Sequence, residues 1–337
     1  MFIAIGDGCG WGKKGMEASK HATEGFVTHL IESTAHSRDA KAIGVSLLES
    51  VAAAHNSVIS GKDDVFTAGT TTLIGGVVFP LPGTVEGMSR RIRMPSAGGC
   101  TSPAMAPADG PLSNATPGAE FGVCIASIGD CKCFHWDVAT KRVHDITAGS
   151  RSDATDASDP GGRLGPYLAG GLPDTRNLSL RYAACHTNDL LIFCSDGVHN
   201  NLDCEFLGVA PGDLAEELAG MSWEEAARAN PSGTEQIRAA FYDARLDTLI
   251  NEQYAKEGAG KATTESPGAS SSAAEPMAPT PADVADFIVE YCLRTTFPSR
   301  QYLEAKITNE LPENHKRYPG KMDHATVVVV RVDTLGV

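Results

Sequence analysis

Ile3-Ala4-Ile5-Gly6-Asp7-Gly8-Cys9-Gly10-Trp11-Gly12 is an apolar strand that runs into an Asp-Gly turn. Two later stretches repeat the arrangement. One is Leu190-Leu191-Ile192-Phe193-Cys194-Ser195-Asp196-Gly197, and the other is Asp323-His324-Ala325, which opens an apolar run from Thr326 to Val332. Each sets one carboxylate at a strand end: Asp7, Asp196 and Asp323. Oxygen ligands suit hard cations such as magnesium and manganese, and sheet ends hold ligands still. Aspartates distant in sequence but carried on strand ends therefore predict a divalent-cation site and a metal-dependent hydrolase.

Composition narrows the partners. Lys+Arg of 28 against Asp+Glu of 42 gives a net charge of -14, which repels phosphate backbones and anionic lipid, so nucleic acid and membrane surfaces are excluded as expected partners. No run approaches the length of an apolar membrane span, and the N-terminus lacks the basic region and cleavage site of a signal peptide. The nine cysteines have no regular spacing, and several (Cys124, Cys133, Cys185, Cys194) sit inside apolar strands. That usage predicts reduced, buried thiols and a cytoplasmic or nuclear setting. A monomer is expected.

At 337 residues the chain is long enough for one large domain. Gly15 to Ala35 carries Ala18, Ala22, Phe26, Leu30 and Ile31 on one helical face, and Asp39 to Ile59 continues with Val45, Leu48 and Ala52. Thr70 to Phe79, Phe121 to Ile128, Lys132 to Val138, Asp189 to Cys194 and Ala325 to Val332 read as strands. The Asp130-Cys131 junction reads as a tight antiparallel hairpin. A strand, two long helices and then several strands predict an α+β layered fold rather than a doubly wound one. Residues 80–118, dense in Pro, Gly and Ser, read as a long loop. Residues 206–318 read as a helical insert, with Trp223 and Phe241 as anchors and a disordered linker at 256–283.

The order and spacing of four motifs resemble the metal-dependent protein phosphatases of the PPM, or type 2C, family. They are Asp7-Gly8-Cys9-Gly10, Gly129-Asp130-Cys131, Ser195-Asp196-Gly197-Val198-His199-Asn200, and Asp323-His324. The resemblance covers residues 1 to about 205 and about 320 to 335. It implies a four-layer sandwich of two antiparallel sheets flanked by helices, and hydrolysis of phosphoserine or phosphothreonine in a protein substrate. It also implies two magnesium or manganese ions and a weak third. Asp7 would bridge the two ions, the Gly8 carbonyl would complete the second, Asp196 and Asp323 would hold the first, and Asp130 would serve the third.

The sequence departs from that pattern in three places. Cys9 stands where many members carry a histidine that protonates the leaving group, and Asn200 stands where an acidic residue helps the third ion. Members also carry an upstream hairpin with a phosphate-gripping arginine and a further acid. This sequence opens at Met1 directly before the first motif, which implies a weakly held second ion. Cys9 and His199 are the candidates for a catalytic side chain, and Arg163 for a replacement phosphate grip. Two alternatives stand beside the phosphatase. One is a catalytically impaired pseudophosphatase acting as a binding module. The other is a dinucleotide-binding protein, because Gly10-Trp11-Gly12-Lys13-Lys14-Gly15 fits G-x-G-x-x-G between a strand and a helix.

Overall fold

The first strand, β1 (Phe2–Gly8), ends in glycine-rich turns and feeds two consecutive helices, α1 (Lys13–Thr34) and α2 (Ala40–Ile59). Then come β2 (Thr71–Pro80), β3 (Phe121–Ile128), β4 (Lys132–Asp137), β5 (Arg142–Asp145), β6 (Ser179–Cys185) and β7 (Leu190–Cys194). A one-turn helix α3 (Asp196–His199) follows β7. The chain continues through α4 (Pro211–Leu214), α5 (Trp223–Ala229), α6 (Pro231–Lys261), α7 (Pro281–Thr295) and α8 (Phe297–Ala305) to β8 (Val327–Arg331). These assignments come from a computed structural model that describes residues 1–34, 39–81, 118–149, 159–261, 279–305, 310–312 and 314–333.

The strands form two four-stranded sheets, ordered β1-β2-β3-β6 and β5-β4-β7-β8, with every pairing antiparallel. Period-two alternation divides each strand between two cores. From β3, Phe121, Val123 and Ile125 point between the sheets, where they meet Ile3, Ile5, Leu191 and Phe193. Its alternate residues Cys124, Ala126 and Ile128 face α1 and α2. On the far side, Leu190, Ile192 and Cys194 of β7 pack under Tyr242 and Leu246 of α6 and Val284 and Ile288 of α7. The result is the helix–sheet–sheet–helix sandwich expected of this sequence. Because both faces of the central strands are covered, β2 and β3 read as nearly continuous apolar runs.

The helix faces are only partly those the periodicity predicted. Ala18, Ala22, Phe26 and Leu30 are buried as expected, but Ile31 is exposed. The buried stripe of α2 is Ile43, Leu47, Val51, Ala54 and Val58, while Val45 is exposed. Contrary to the expectation that no segment approaches a membrane span, this helix is long and apolar enough by composition to cross one, though half of it is buried inside the fold. Periodicity therefore cannot choose its face, and packing against α1 and the sheet does. Asp39 caps its start by accepting from the Ala42 N–H. In the insert, Trp223 is buried and donates from Nε1 to the Val209 carbonyl, but Tyr242 rather than Phe241 enters the core.

The Asp130-Cys131 junction is no hairpin: β3 pairs with β2 and β6, β4 pairs with β5 and β7, and the junction carries the chain from one sheet to the other. Gly129 makes that crossing with φ +102°, its N–H donating to Asn177 Oδ1 and its carbonyl accepting from Asn177 Nδ2. The G-x-G-x-x-G stretch lies outside any parallel β-α-β unit, since the next strand after the helices is the antiparallel neighbour β2. The predicted linker at 256–283 overlaps helix at both ends, because α6 runs to Lys261 and α7 starts at Pro281 behind a Thr280 cap. Residues 262–278 of it, and 82–117 of the predicted long loop, lie outside the described residues.

A Cβ at Gly129 would sit 2.4 Å from the Thr72 side chain, in a backbone region that L residues avoid. Gly129→Ala should therefore cost about 2 kcal/mol or more. Chemical denaturation followed by circular dichroism checks this, and an unchanged midpoint would remove the strain from the crossing.

Candidate active site

Asp7 ends β1 with its backbone fixed from both sides. Thr71 Oγ1 donates to the Asp7 carbonyl at 2.8 Å, and the Cys9 N–H donates to the Thr70 carbonyl at 2.9 Å. Gly8 must lack a side chain, because a Cβ there would lie 2.3 Å from the Gly15 carbonyl where α1 begins. The end of β1 is thus pressed between β2 and the start of α1, which leaves Asp7 one direction to face.

Asp196 opens α3 directly after β7. The preceding Ser195 is a clamp: its N–H donates to the Thr326 carbonyl at 3.0 Å, its Oγ donates to the His324 carbonyl and accepts from the Thr326 N–H, both at 3.1 Å. Gly197 makes the approach tighter still, since a Cβ there would come within 2.3 Å of the His324 carbonyl. These two residues bring Asp196 beside Asp323. The sheet crossing adds Asp130, whose carbonyl accepts from His199 Nε2 at 2.8 Å.

Four carboxylates from distant segments therefore converge at one end of the sandwich. Burial, a hydrogen bond with Asp196, and the charges of Asp196, Asp323 and Asp130 together push the Asp7 carboxyl up to about 8. Burial also works against the charge on Asp196, but the Lys321 ammonium, with smaller help from His199 and Asp7, holds that carboxyl below its ordinary value. Lys321 Nζ contacts Asp196 Oδ2 and lies 3.1 Å from Asp323 Oδ2. The sequence reading missed Lys321, and its position two residues before Asp323 was the available signal. It also missed Ser195 and Asn201 as the side chains that join these segments.

The donors here are oxygens, the ligand type that suits a hard divalent cation, and the Lys321 ammonium already sits between two of the carboxylates. Asp7, Asp196, Asp323, Asp130 and the Gly8 carbonyl are the groups that would hold such an ion.

The other candidate residues stand nearby in different roles. Cys9 adjoins Asp7, and burial pushes its thiol up despite a hydrogen bond with Thr70 and the charge of Arg163. A protonated thiol is a poor nucleophile. His199, expected to contact substrate or to be solvated, is instead buried and donates to the Asp130 carbonyl. Arg163 lies close enough to Cys9 to act on its thiol, stacks on Tyr167 at 4.4 Å, and has a buried Nε without a partner among the described residues. Asn200 is buried and adds no charge. A separate group, His135, Cys185 and Asp189, is a structural knot, since the Asp189 carboxylate already accepts from His135 Nε2 and from the Val138 and His186 N–H groups.

No family model and no curated protein matches the sequence. Among solved structures the chain is similar to the photosystem II phosphatase PBCP, at 16% identity and a TM-score of 0.47, covering 99% of this chain and 88% of that one. It is also similar to the catalytic domain of the serine/threonine protein phosphatase PstP in complex with two manganese ions, at 14% identity and a TM-score of 0.35, covering 71% of this chain and 82% of that one. A third similar structure is the PPM Ser-Thr phosphatase MsPP from Mycobacterium smegmatis, at 16% identity and a TM-score of 0.33, covering 72% and 84%. Likenesses this distant carry no weight for activity, which rests below on the site's own geometry.

The Asp7 shift fixes a pH dependence for the cation-free protein. An unfolded aspartate releases its proton near 3.8, whereas folded Asp7 keeps its proton up to about 8. The folded state therefore binds more protons between those values, and stability falls as pH rises through them. Asp7→Asn removes this dependence. In chelator at pH 8 the variant should melt roughly 2–4 °C above the unaltered chain, with no gain at pH 4. An equal offset at both pH values would show that Asp7 is not strained by its neighbours.

Proposed function

We propose that this chain hydrolyses phosphate monoesters of phosphoserine and phosphothreonine in protein substrates, using magnesium or manganese ions bound at the four-aspartate cluster. The observation that carries the reading is the convergence of Asp7, Asp130, Asp196 and Asp323, which the rest of the fold holds together against their mutual repulsion. Two bound divalent ions would supply a water of lowered pKa and offset the charge of the transferring phosphoryl group.

The chain's own groups have defined parts. Asp7, whose carboxyl is held protonated by burial and by its neighbours, would lose that proton to a bound ion and would be one of the groups holding the ions. Asp196 and Asp323 are set side by side by the Ser195 clamp and would hold one ion together. The Gly8 carbonyl and Asp130 complete the oxygen set. Arg163, stacked on Tyr167 and 3.9 Å from Asp159, would take up a phosphate oxygen, for which its planar fork is suited. His199 positions Asp130 through its backbone carbonyl and is not a proton donor to substrate. Cys9, with its thiol held protonated, is not the nucleophile.

The presence of an ammonium inside the cluster favours a second reading, a binding module of the same fold that turns over nothing. Hydrolysis of an aryl phosphate and of a phosphothreonine peptide in manganese separates the two. The first reading expects metal-dependent turnover that Asp196→Asn lowers by more than about a hundredfold, beyond the loss typical of an outer-shell partner. It also expects manganese to raise the thermal midpoint of the unaltered chain and not of the variant. Absence of turnover at any manganese concentration, with the midpoint shift retained, would leave the binding module as the function.

A further inference from the structure

We propose that Lys321 is a built-in counter-cation of this cluster, and that a divalent ion reaches Asp196 and Asp323 only by displacing its ammonium. The inference rests on reading the cluster as a divalent-cation centre. Lys321 Nζ contacts Asp196 Oδ2 and lies 3.1 Å from Asp323 Oδ2, so it bridges the two carboxylates that would share one ion.

The lysine is placed by construction. Its N–H donates to Asn201 Oδ1 at 3.1 Å and its carbonyl accepts from Asn201 Nδ2 at 3.1 Å, so one side-chain amide reads both of its backbone groups. Asn201 is buried and is itself tied to the Gly197 carbonyl at 2.7 Å, one residue from Asp196. Gly320, at φ +83°, lies so close to Asn201 that a Cβ would meet its Oδ1 at 2.2 Å, and its N–H donates to the Phe206 carbonyl at 2.6 Å. The whole arrangement delivers the root of the Lys321 side chain to the edge of the cluster.

Two consequences follow from elementary electrostatics. A tethered ammonium acts at a high effective concentration, so it competes with a free ion far better than dissolved monovalent cations do. Metal binding must then draw on the fraction of molecules in which the lysine has swung out, and the apparent dissociation constant rises by the inverse of that fraction. The side chain is 32% exposed, so it has solvent to swing into. A divalent ion carries twice the charge, so the exchange remains possible. Lys321 thereby sets the cation concentration at which the site loads.

Calorimetric titration of manganese chloride into the full chain at one pH tests this. Lys321→Met and Lys321→Gln should each lower the manganese dissociation constant by at least about tenfold, and Lys321→Arg, which keeps the charge, should stay within about threefold of the unaltered chain. In chelator, the Met and Gln variants should melt lower than the unaltered chain, because they lack the counter-cation. Manganese binding of equal strength in all four proteins overturns the inference and leaves the phosphatase reading intact. Tightening by Lys321→Arg equal to that by Lys321→Met also overturns it, because the effect would then not follow charge. Failure of all four proteins to bind manganese overturns the cation-centre reading itself, and this inference with it.

Discussion

Mutual repulsion among four carboxylates is the constraint around which the rest of the molecule is arranged. Left to themselves, Asp7, Asp130, Asp196 and Asp323 would separate, and burial, with the Asp196 hydrogen bond and the charges of the other three, keeps the Asp7 proton on to about pH 8. What opposes that repulsion is the apolar core between the two sheets, where Ile3, Ile5, Val123, Ile125, Leu191 and Phe193 interlock. One sheet supplies Asp7, the other supplies the strand behind Asp196, and Asp130 lies on the crossing between them. The cluster therefore exists only while the sandwich is closed. Hydrophobic burial is non-directional and brings the sheets together, but it cannot set carboxylates at fixed positions.

Fixed positions come from neutral polar side chains that bind backbone. Ser195 joins the start of α3 to the segment before β8, Asn177 holds Gly129 by both of its peptide groups, and Asn201 does the same for Lys321. Such bonds add no charge to a site already overloaded with it. Their geometry is demanding, so each also removes conformational freedom from a loop that would otherwise let the carboxylates drift apart. Glycines at 8 and 197 complete the arrangement by allowing backbones to approach where any Cβ would collide, and Gly129 leaves room for the Thr72 side chain.

Charge at the site is then managed by few groups. Asp7 holds a proton, Lys321 supplies an ammonium, and Arg163 stands beside Cys9 and Tyr167. An acidic cluster that carries its own cation is a different object from one that is merely electronegative. Its affinity for metal is set by exchange rather than by attraction alone.

The sequence by itself determined six of the strands, the two long helices after the first of them, and three aspartates that flank strands. Alternation and apolar runs are local properties; Asp7 and Asp196 each follow such a run, and Asp323 precedes one. It also determined the layered class of the fold, because one strand, two helices and then a series of strands leave few other arrangements. Several things were decided only by the tertiary structure. Two residues at a strand junction look alike whether the next strand pairs back or crosses to another sheet, so Asp130-Cys131 could not be read locally. An evenly apolar helix such as α2 has no face until something packs against it. β5 has only four residues, and β6, though seven long, mixes Ser, Arg and Tyr with its apolar residues, so neither stands out. Lys321 offered only a weak signal, its place two residues before Asp323: a lysine near an aspartate is ordinary, and the Asn201 clamp, made by a residue 120 positions away in sequence, turns it into the cation of the cluster. Contacts between residues that far apart are set by how the sheets close, and no local pattern records them.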